Sequence, residues 1–116
     1  KANVMEVMNI IGDIDCKKCL MVDDMIDTAG TICQGAQALA DHGAKEVYAC
    51  CTHAVLSGPA IERLAASPIK ELAILNTIDL PPEKMLDKFK VISVADIFAA
   101  AIENVYLDKP MSKIYD

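Results

Sequence analysis

Basic side chains, aromatic bulk and long apolar runs are all scarce in this chain of 116 residues. Lys and Arg number 11 against 17 Asp and Glu. The resulting net charge of -6 argues against nonspecific nucleic-acid binding, which needs a basic face. Aromatic residues make up 4%, so a core has to come from Ile, Val, Leu, Ala and Met. No apolar run approaches the length of a membrane span, and the first residues do not read as a signal peptide. The expectation is a cytoplasmic protein with neither membrane nor nucleic acid as a partner. A second metal-type cysteine pair is missing as well. Cys16-Lys17-Lys18-Cys19 has the spacing of a metal or redox pair, but a structural zinc site needs four ligands and no matching pair follows. Cys50 and Cys51 are adjacent and would point to opposite faces of a strand. Five cysteines without an export signal read as reduced cytosolic thiols. Internal repeats, low-complexity segments and interior linkers are not seen either. The chain starts at Lys1 rather than Met, and is expected to be a fragment or processed piece of a longer protein.

What is present is an alternation of short apolar runs with helical patterns, in a length that suits one domain with a modest core. Val7 to Ile11, closed by Gly12-Asp13, reads as a strand and turn. Cys19 to Val22 reads as a second strand, apolar on successive positions as buried parallel strands are. Ile32, Gly35, Ala36 and Leu39 then fall on one helical face, with Gly43 as the stop. Val47 to Cys51 is the next strand, followed by a polar loop from Thr52 to Gly58 and a short helix carrying Ala60, Ile61, Leu64 and Ala65. Leu72 to Leu75 and Val91-Ile92 read as further strands, separated by a loop from Asn76 to Lys84 with two prolines. Ser93 looks like an N-cap with Asp96 in the capping-box position. The last helix has an apolar stripe of Val94, Ile97, Phe98, Ala101, Ile102 and Val105, ended by Pro110. Strands alternating with helices predict an α/β fold, mainly parallel.

One stretch organises the rest, Leu20 to Thr31. An apolar run ends in Asp23-Asp24, a third carboxylate follows at Asp27, and Thr28-Ala29-Gly30-Thr31 leads into the first helix. Ligands of α/β proteins sit beyond the carboxyl ends of parallel strands, and free N–H groups at a helix start favour an anion. Thr28 to Thr31 suit a phosphate, whereas Asp23 and Asp24 would repel one and suit hydroxyls or a metal ion. A sugar phosphate has both ends. A purely solvated acidic pair is the bland alternative, but this pair closes an apolar strand just before a helix, where function collects.

The wording Val22-Asp23-Asp24-Met25-Ile26-Asp27-Thr28-Ala29-Gly30-Thr31 closely resembles the ribose-phosphate loop of the ribose-phosphate pyrophosphokinase family, which has the type I phosphoribosyltransferase fold. The resemblance continues through Asn9-Ile10-Ile11-Gly12-Asp13, His42-Gly43-Ala44 and the segment Thr52 to Ile61, with Ser57-Gly58-Pro59-Ala60 at the fitting distance. It covers residues 1–116 but only the C-terminal part of that enzyme. It implies a three-layer α/β sandwich with a mainly parallel sheet. It also implies transfer of diphosphate from ATP to the 1-hydroxyl of ribose 5-phosphate, giving phosphoribosyl pyrophosphate and AMP. By the same resemblance Asp23 and Asp24 contact the ribose hydroxyls near bound Mg²⁺, and Asp27, Thr28, Ala29, Gly30 and Thr31 cradle the 5-phosphate. The absent side chain of Gly30 would let backbone and phosphate approach closely. ATP contacts and the mobile catalytic loop are expected upstream of Lys1, so no catalytic residue is assigned here and the isolated chain is expected to be inactive. A homo-oligomer, by resemblance a hexamer, is the expected assembly.

Other residues are weaker signals. Ser57 and Gly58 start a helix and are assigned by resemblance to a regulatory or interface role. Ser112 is the one serine of the tail that matches a regulatory phosphate pattern, Pro110 standing where a second is expected. The tail as a whole is a candidate for disorder. His53 lies beside the proposed site without a catalytic assignment, and His42 sits at a helix end where a partial positive charge is favoured. No run of Lys or Arg is seen to face the acidic loop. Three alternatives remain open. One is a nucleobase phosphoribosyltransferase, against which Ser57-Gly58-Pro59-Ala60 argues; another is a non-catalytic paralogue associated with the synthetase. The third is a receiver domain, which needs a phospho-acceptor Asp at a later strand end where Thr52-His53 and Thr77 stand instead.

Overall fold

The computed structural model describes residues 9–115. Of the strand expected over Val7 to Ile11, Val7 and Met8 lie outside the described residues, and Asn9 to Ile11 form no strand. Four strands follow: β1 (Lys18–Ile26), β2 (Glu46–Ala54), β3 (Ile69–Leu75) and β4 (Phe89–Ile92). They pair in parallel in the order β1-β2-β3-β4. Helix α1 (Gly30–Asp41) links β1 to β2, α2 (Ala60–Ala66) links β2 to β3, and α3 (Ala95–Tyr106) follows β4. A 3₁₀ turn at Pro82–Lys84 interrupts the expected loop before β4. The α/β class and the parallel sheet are as the alternating pattern predicts.

Each crossover steps one strand in the same direction. Because parallel crossovers are right-handed, α1 and α2 fall on one face of the sheet, and they touch. The core lies between: Ile26, Ile32, Ala36, Val47, Ala49, Leu64, Leu72 and Ile74 are buried there. Along β2 burial alternates, with Val47, Ala49 and Cys51 inward and Tyr48 and Cys50 half-covered on the other side. The described residues thus supply two layers of the expected sandwich, the sheet and one helical layer. On the opposite face Leu20 is 63% and Val22 75% exposed. The successive apolar residues of β1 are therefore not both buried, because no described helix covers that side.

Strands run longer than their apolar cores suggested. The ladder between β1 and β2 continues past Val22 through Asp23↔Cys51 to Ile26↔Ala54. Ladder hydrogen bonds belong to the backbone and tolerate carboxylates wherever the side chains reach water, as on β1, an edge strand among the described ones. Asp23 and Asp24 accordingly lie inside β1 rather than in a loop after it, and Thr52 and His53 lie inside β2. Helix α1 ends as expected, with His42 Nδ1 on the Ala38 carbonyl at 2.7 Å and Gly43 at φ 95°.

The N-cap of α3 is Val94, one residue later than expected, and the Ser93 hydroxyl before it accepts the Ala95 N–H at 3.2 Å. The return bond expected from Asp96 is replaced by Asn76, which accepts the Val94 N–H at 2.9 Å and donates to Ser93 Oγ at 3.3 Å. Of the predicted stripe Val94 is buried and Ala101 half-buried, while Ile97, Phe98, Ile102 and Val105 stay uncovered, Ile102 and Val105 being 69% and 68% exposed. Helix α3 packs mainly on a 3₁₀ turn of the tail, Met111–Tyr115, so the tail is ordered rather than the loose end expected. The carboxyl ends of β1 and β2 lie side by side, and there the candidate site forms.

Candidate functional site

Strand β1 ends on buried Ile26, and Asp27, Thr28 and Ala29 lead into α1 at Gly30. Ala29 takes φ 63° and ψ 12° at the helix start, with its methyl buried. This left-handed conformation costs a residue with a Cβ about 1–2 kcal/mol and persists only where the surroundings impose it. No side chain caps α1, so its first N–H groups lack an intrahelical partner and favour an anion. A cavity of about 260 Å³ opens there, lined by Asp23, Asp27, Thr28, Ala29, Gly30 and Thr31, with Met25, Ile26 and Ile32 as its apolar side.

Six of the seven predicted binding residues therefore share one cavity. Asp24 does not line it. Because β1 continues through the acidic pair, successive side chains point to opposite faces of the strand. The Asp23 carboxylate accepts the Asp24 N–H at 2.8 Å and remains on the cavity side.

The β2–α2 connection is sewn to this loop. Val55 and Leu56 donate their N–H groups to the Ile26 carbonyl, each at 3.1 Å, and Ser57 N–H reaches the Asp27 carbonyl at 2.9 Å. The Ser57 hydroxyl donates to the Asp27 carboxylate. Leu56, fully buried at φ 51°, and Gly58 at φ 55° turn the chain there. Ser57 thus stands against the first loop, whereas Ser112 sits exposed in the tail turn beside α3, and no hydrogen bond joins it to either loop.

Arg63 is the residue that reading the sequence missed. Its Nη1 donates to the Thr28 carbonyl at 3.0 Å. A Cβ on Gly30 would lie 3.2 Å from that nitrogen. Gly30 is helical, and room for the guanidinium is a reason for its missing side chain that the sequence did not offer. A basic group does face the acidic loop, from another element. Its signal was topological: two successive right-handed crossovers place α2 beside α1, and Arg63 lies next to buried Leu64.

His53 has a structural partner. The Thr77 hydroxyl donates to the Thr52 carbonyl at 3.1 Å, so its oxygen accepts from His53 Nδ1–H at 2.8 Å, tying β2 to the chain after β3. The five cysteines are free. Burial pushes the Cys51 thiol up to about 11, which leaves it inert. Among the described residues no group of three or more His, Cys, Asp or Glu is placed to hold a metal ion. No described helix is long and apolar enough to cross a membrane.

Residues 2–116 match the family described as the phosphoribosyl synthetase-associated domain. The chain is 64% identical over 115 residues to a ribose-phosphate pyrophosphokinase of Clostridium acetobutylicum, covering 99% of this chain and 36% of that protein. It is 53% identical over 116 residues to ribose-phosphate pyrophosphokinase 1 of Streptococcus pyogenes, covering 100% of this chain and 36% of that one. Among solved structures it resembles phosphoribosylpyrophosphate synthetase from Mycobacterium smegmatis, with a TM-score of 0.82 and 39% identity over 84% of this chain and 33% of the other. The chain spans 36% of the length of these curated relatives.

Proposed function

Because the chain belongs to the phosphoribosyl synthetase-associated domain family, we propose that it is the part of a ribose-phosphate pyrophosphokinase that holds ribose 5-phosphate. Its α/β fold is of the type I phosphoribosyltransferase kind. The observation that carries the reading is the single cavity joining an uncapped helix start to the Asp23 carboxylate. The 5-phosphate takes the N–H groups and hydroxyls from Thr28 to Thr31. The ribose hydroxyls take Asp23, with Asp24 on the other face of the strand and Asp27 held by Ser57.

In the complete protein the 1-hydroxyl of the sugar attacks the β-phosphorus of ATP. A new O1–P bond forms, the bond from that phosphorus to the oxygen shared with the α-phosphate breaks, and AMP leaves with that oxygen. The hydroxyl proton is lost to a base not assigned to this chain. Such a transfer depends mostly on positioning and on neutralising charge. The remaining length of the protein supplies the ATP site, and the assembly is a cytoplasmic homo-oligomer, a hexamer in this reading. Mg²⁺ is compatible with the donors present. It is bound by one or two carboxylates with the rest from substrate oxygens and water, so one carboxylate facing the cavity is enough to suit it. Asp23 would hold it, Asp24 lying on the other face of the strand, and when bound it would offset phosphate charge.

The test is Thr28→Val in the full-length protein. The lost hydroxyl removes one charge-assisted hydrogen bond, about 1.5–3 kcal/mol, so affinity for ribose 5-phosphate falls at least about tenfold by titration calorimetry. Unchanged affinity in a folded variant overturns the assignment.

A further inference from the structure

The contact between Arg63 and the Thr28 carbonyl orients more than one bond. In a trans peptide the C=O and the next N–H point to opposite sides, and no peptide among the described residues is cis. With the Thr28 oxygen drawn to the α2 guanidinium at 3.0 Å, the Ala29 N–H is turned away from α2. Ala29 is the residue held at φ 63°, a conformation that needs an external constraint. Arg63 does not line the cavity, so it acts from behind the loop. Nor does it make an ion pair among the described residues. Gly30 completes the arrangement, since any side chain at that position would meet the guanidinium.

We propose that Arg63 is a positioning residue for the sugar phosphate. It holds the Thr28–Ala29 peptide plane so that the N–H groups at the start of α1 are aimed before the ligand arrives, and it places a positive charge behind them. Preorganised donors bind an anion more tightly than donors that must be ordered on binding. Two βα units therefore build one subsite, the first supplying the donors and the second their orientation. This inference rests on the reading of the Asp27–Thr31 loop as a phosphate cradle.

The experiment compares Arg63→Met, Arg63→Lys and Thr28→Val in the full-length protein, measuring KM for ribose 5-phosphate, KM for ATP, kcat and Tm. Arg63→Met removes the donors and the charge at similar bulk. It is expected to raise KM for ribose 5-phosphate by up to about fivefold, the most that losing one exposed orienting contact withholds. Both kcat and KM for ATP should stay within about twofold, the signature of lost ground-state binding. Arg63→Lys, which keeps a charge and a donor, should recover part of the loss. An unchanged KM in Arg63→Met, with a raised one in Thr28→Val, overturns the role of Arg63 and leaves the cradle standing. If neither variant raises KM, the cradle reading falls and the inference with it. Equal losses in both Arg63 variants, with kcat, both KM values and Tm moving together, show a merely structural tie and also overturn it.

Discussion

Replacing Gly30 with Ala separates stability from function at the loop. The three nearest neighbours of the added methyl are side-chain atoms: Arg63 Nη1 at 3.2 Å, Thr28 Oγ1 at 3.9 Å and Arg63 Cζ at 4.0 Å. Gly30 is helical, so Ala fits its backbone without strain. Reduced freedom of the unfolded chain then favours Ala by about 0.4–1 kcal/mol. Against this, the methyl crowds the exposed guanidinium and weakens its bond to the Thr28 carbonyl. At an exposed site such a contact contributes about 0–1 kcal/mol, well below its shielded value. The two effects cancel to within about 1 kcal/mol, so Tm should move by only a few degrees. Affinity for ribose 5-phosphate should nevertheless fall by up to about fivefold, because the Thr28–Ala29 peptide loses the contact that orients it. Thermal melts and calorimetric titration of the full-length protein read the two separately. A double variant with Arg63→Met should bind no more weakly than either single one, since both remove the same contact. Wild-type affinity in Gly30→Ala, or fully additive losses in the double variant, would refute the reasoning.

Asp23 and Asp24 should behave differently, since Asp23 alone lines the cavity: Asp23→Asn is expected to cost the full-length protein more activity than Asp24→Asn, with Tm changed little in both. Equal losses by AMP-release assay would contradict that split. Leu64→Ala, at a fully buried position in α2, should destabilise by about 2–5 kcal/mol in denaturant titrations, since a packed core leaves a cavity rather than closing over it. The hydroxyl of Tyr48, then Lys70 and Lys18, holds the Glu46 carboxyl at about 2, below its ordinary 4.5. This folded-state preference for the charged form contributes stability above pH 4.5 that disappears as pH falls through about 2. Glu46→Gln should flatten the Tm profile across that window, lowering Tm at neutral pH and changing it least near pH 2.

Local chemistry made much of this protein readable from its residues. The apolar spacing of Ile32, Gly35 and Ala36 placed α1, Gly43 placed its end, and the small polar residues from Asp27 to Thr31 placed the turn that leads into the helix. Strand ends were misjudged at Asp23, Asp24, Thr52 and His53, because side-chain polarity marks exposure while the ladder is made by backbone groups. Tertiary structure alone decided which carboxylate faces the cavity, through the continuation of β1. It also decided that Ser57 and Arg63, 30 and 35 residues from their partners in sequence, should close on Asp27 and Thr28. Those contacts follow from the handedness of two successive crossovers, and no periodicity in the chain encodes them. The exposed stripe of α3 shows the converse: its pattern specifies an apolar face, but what covers a face is set by packing between elements and not by the helix that carries it.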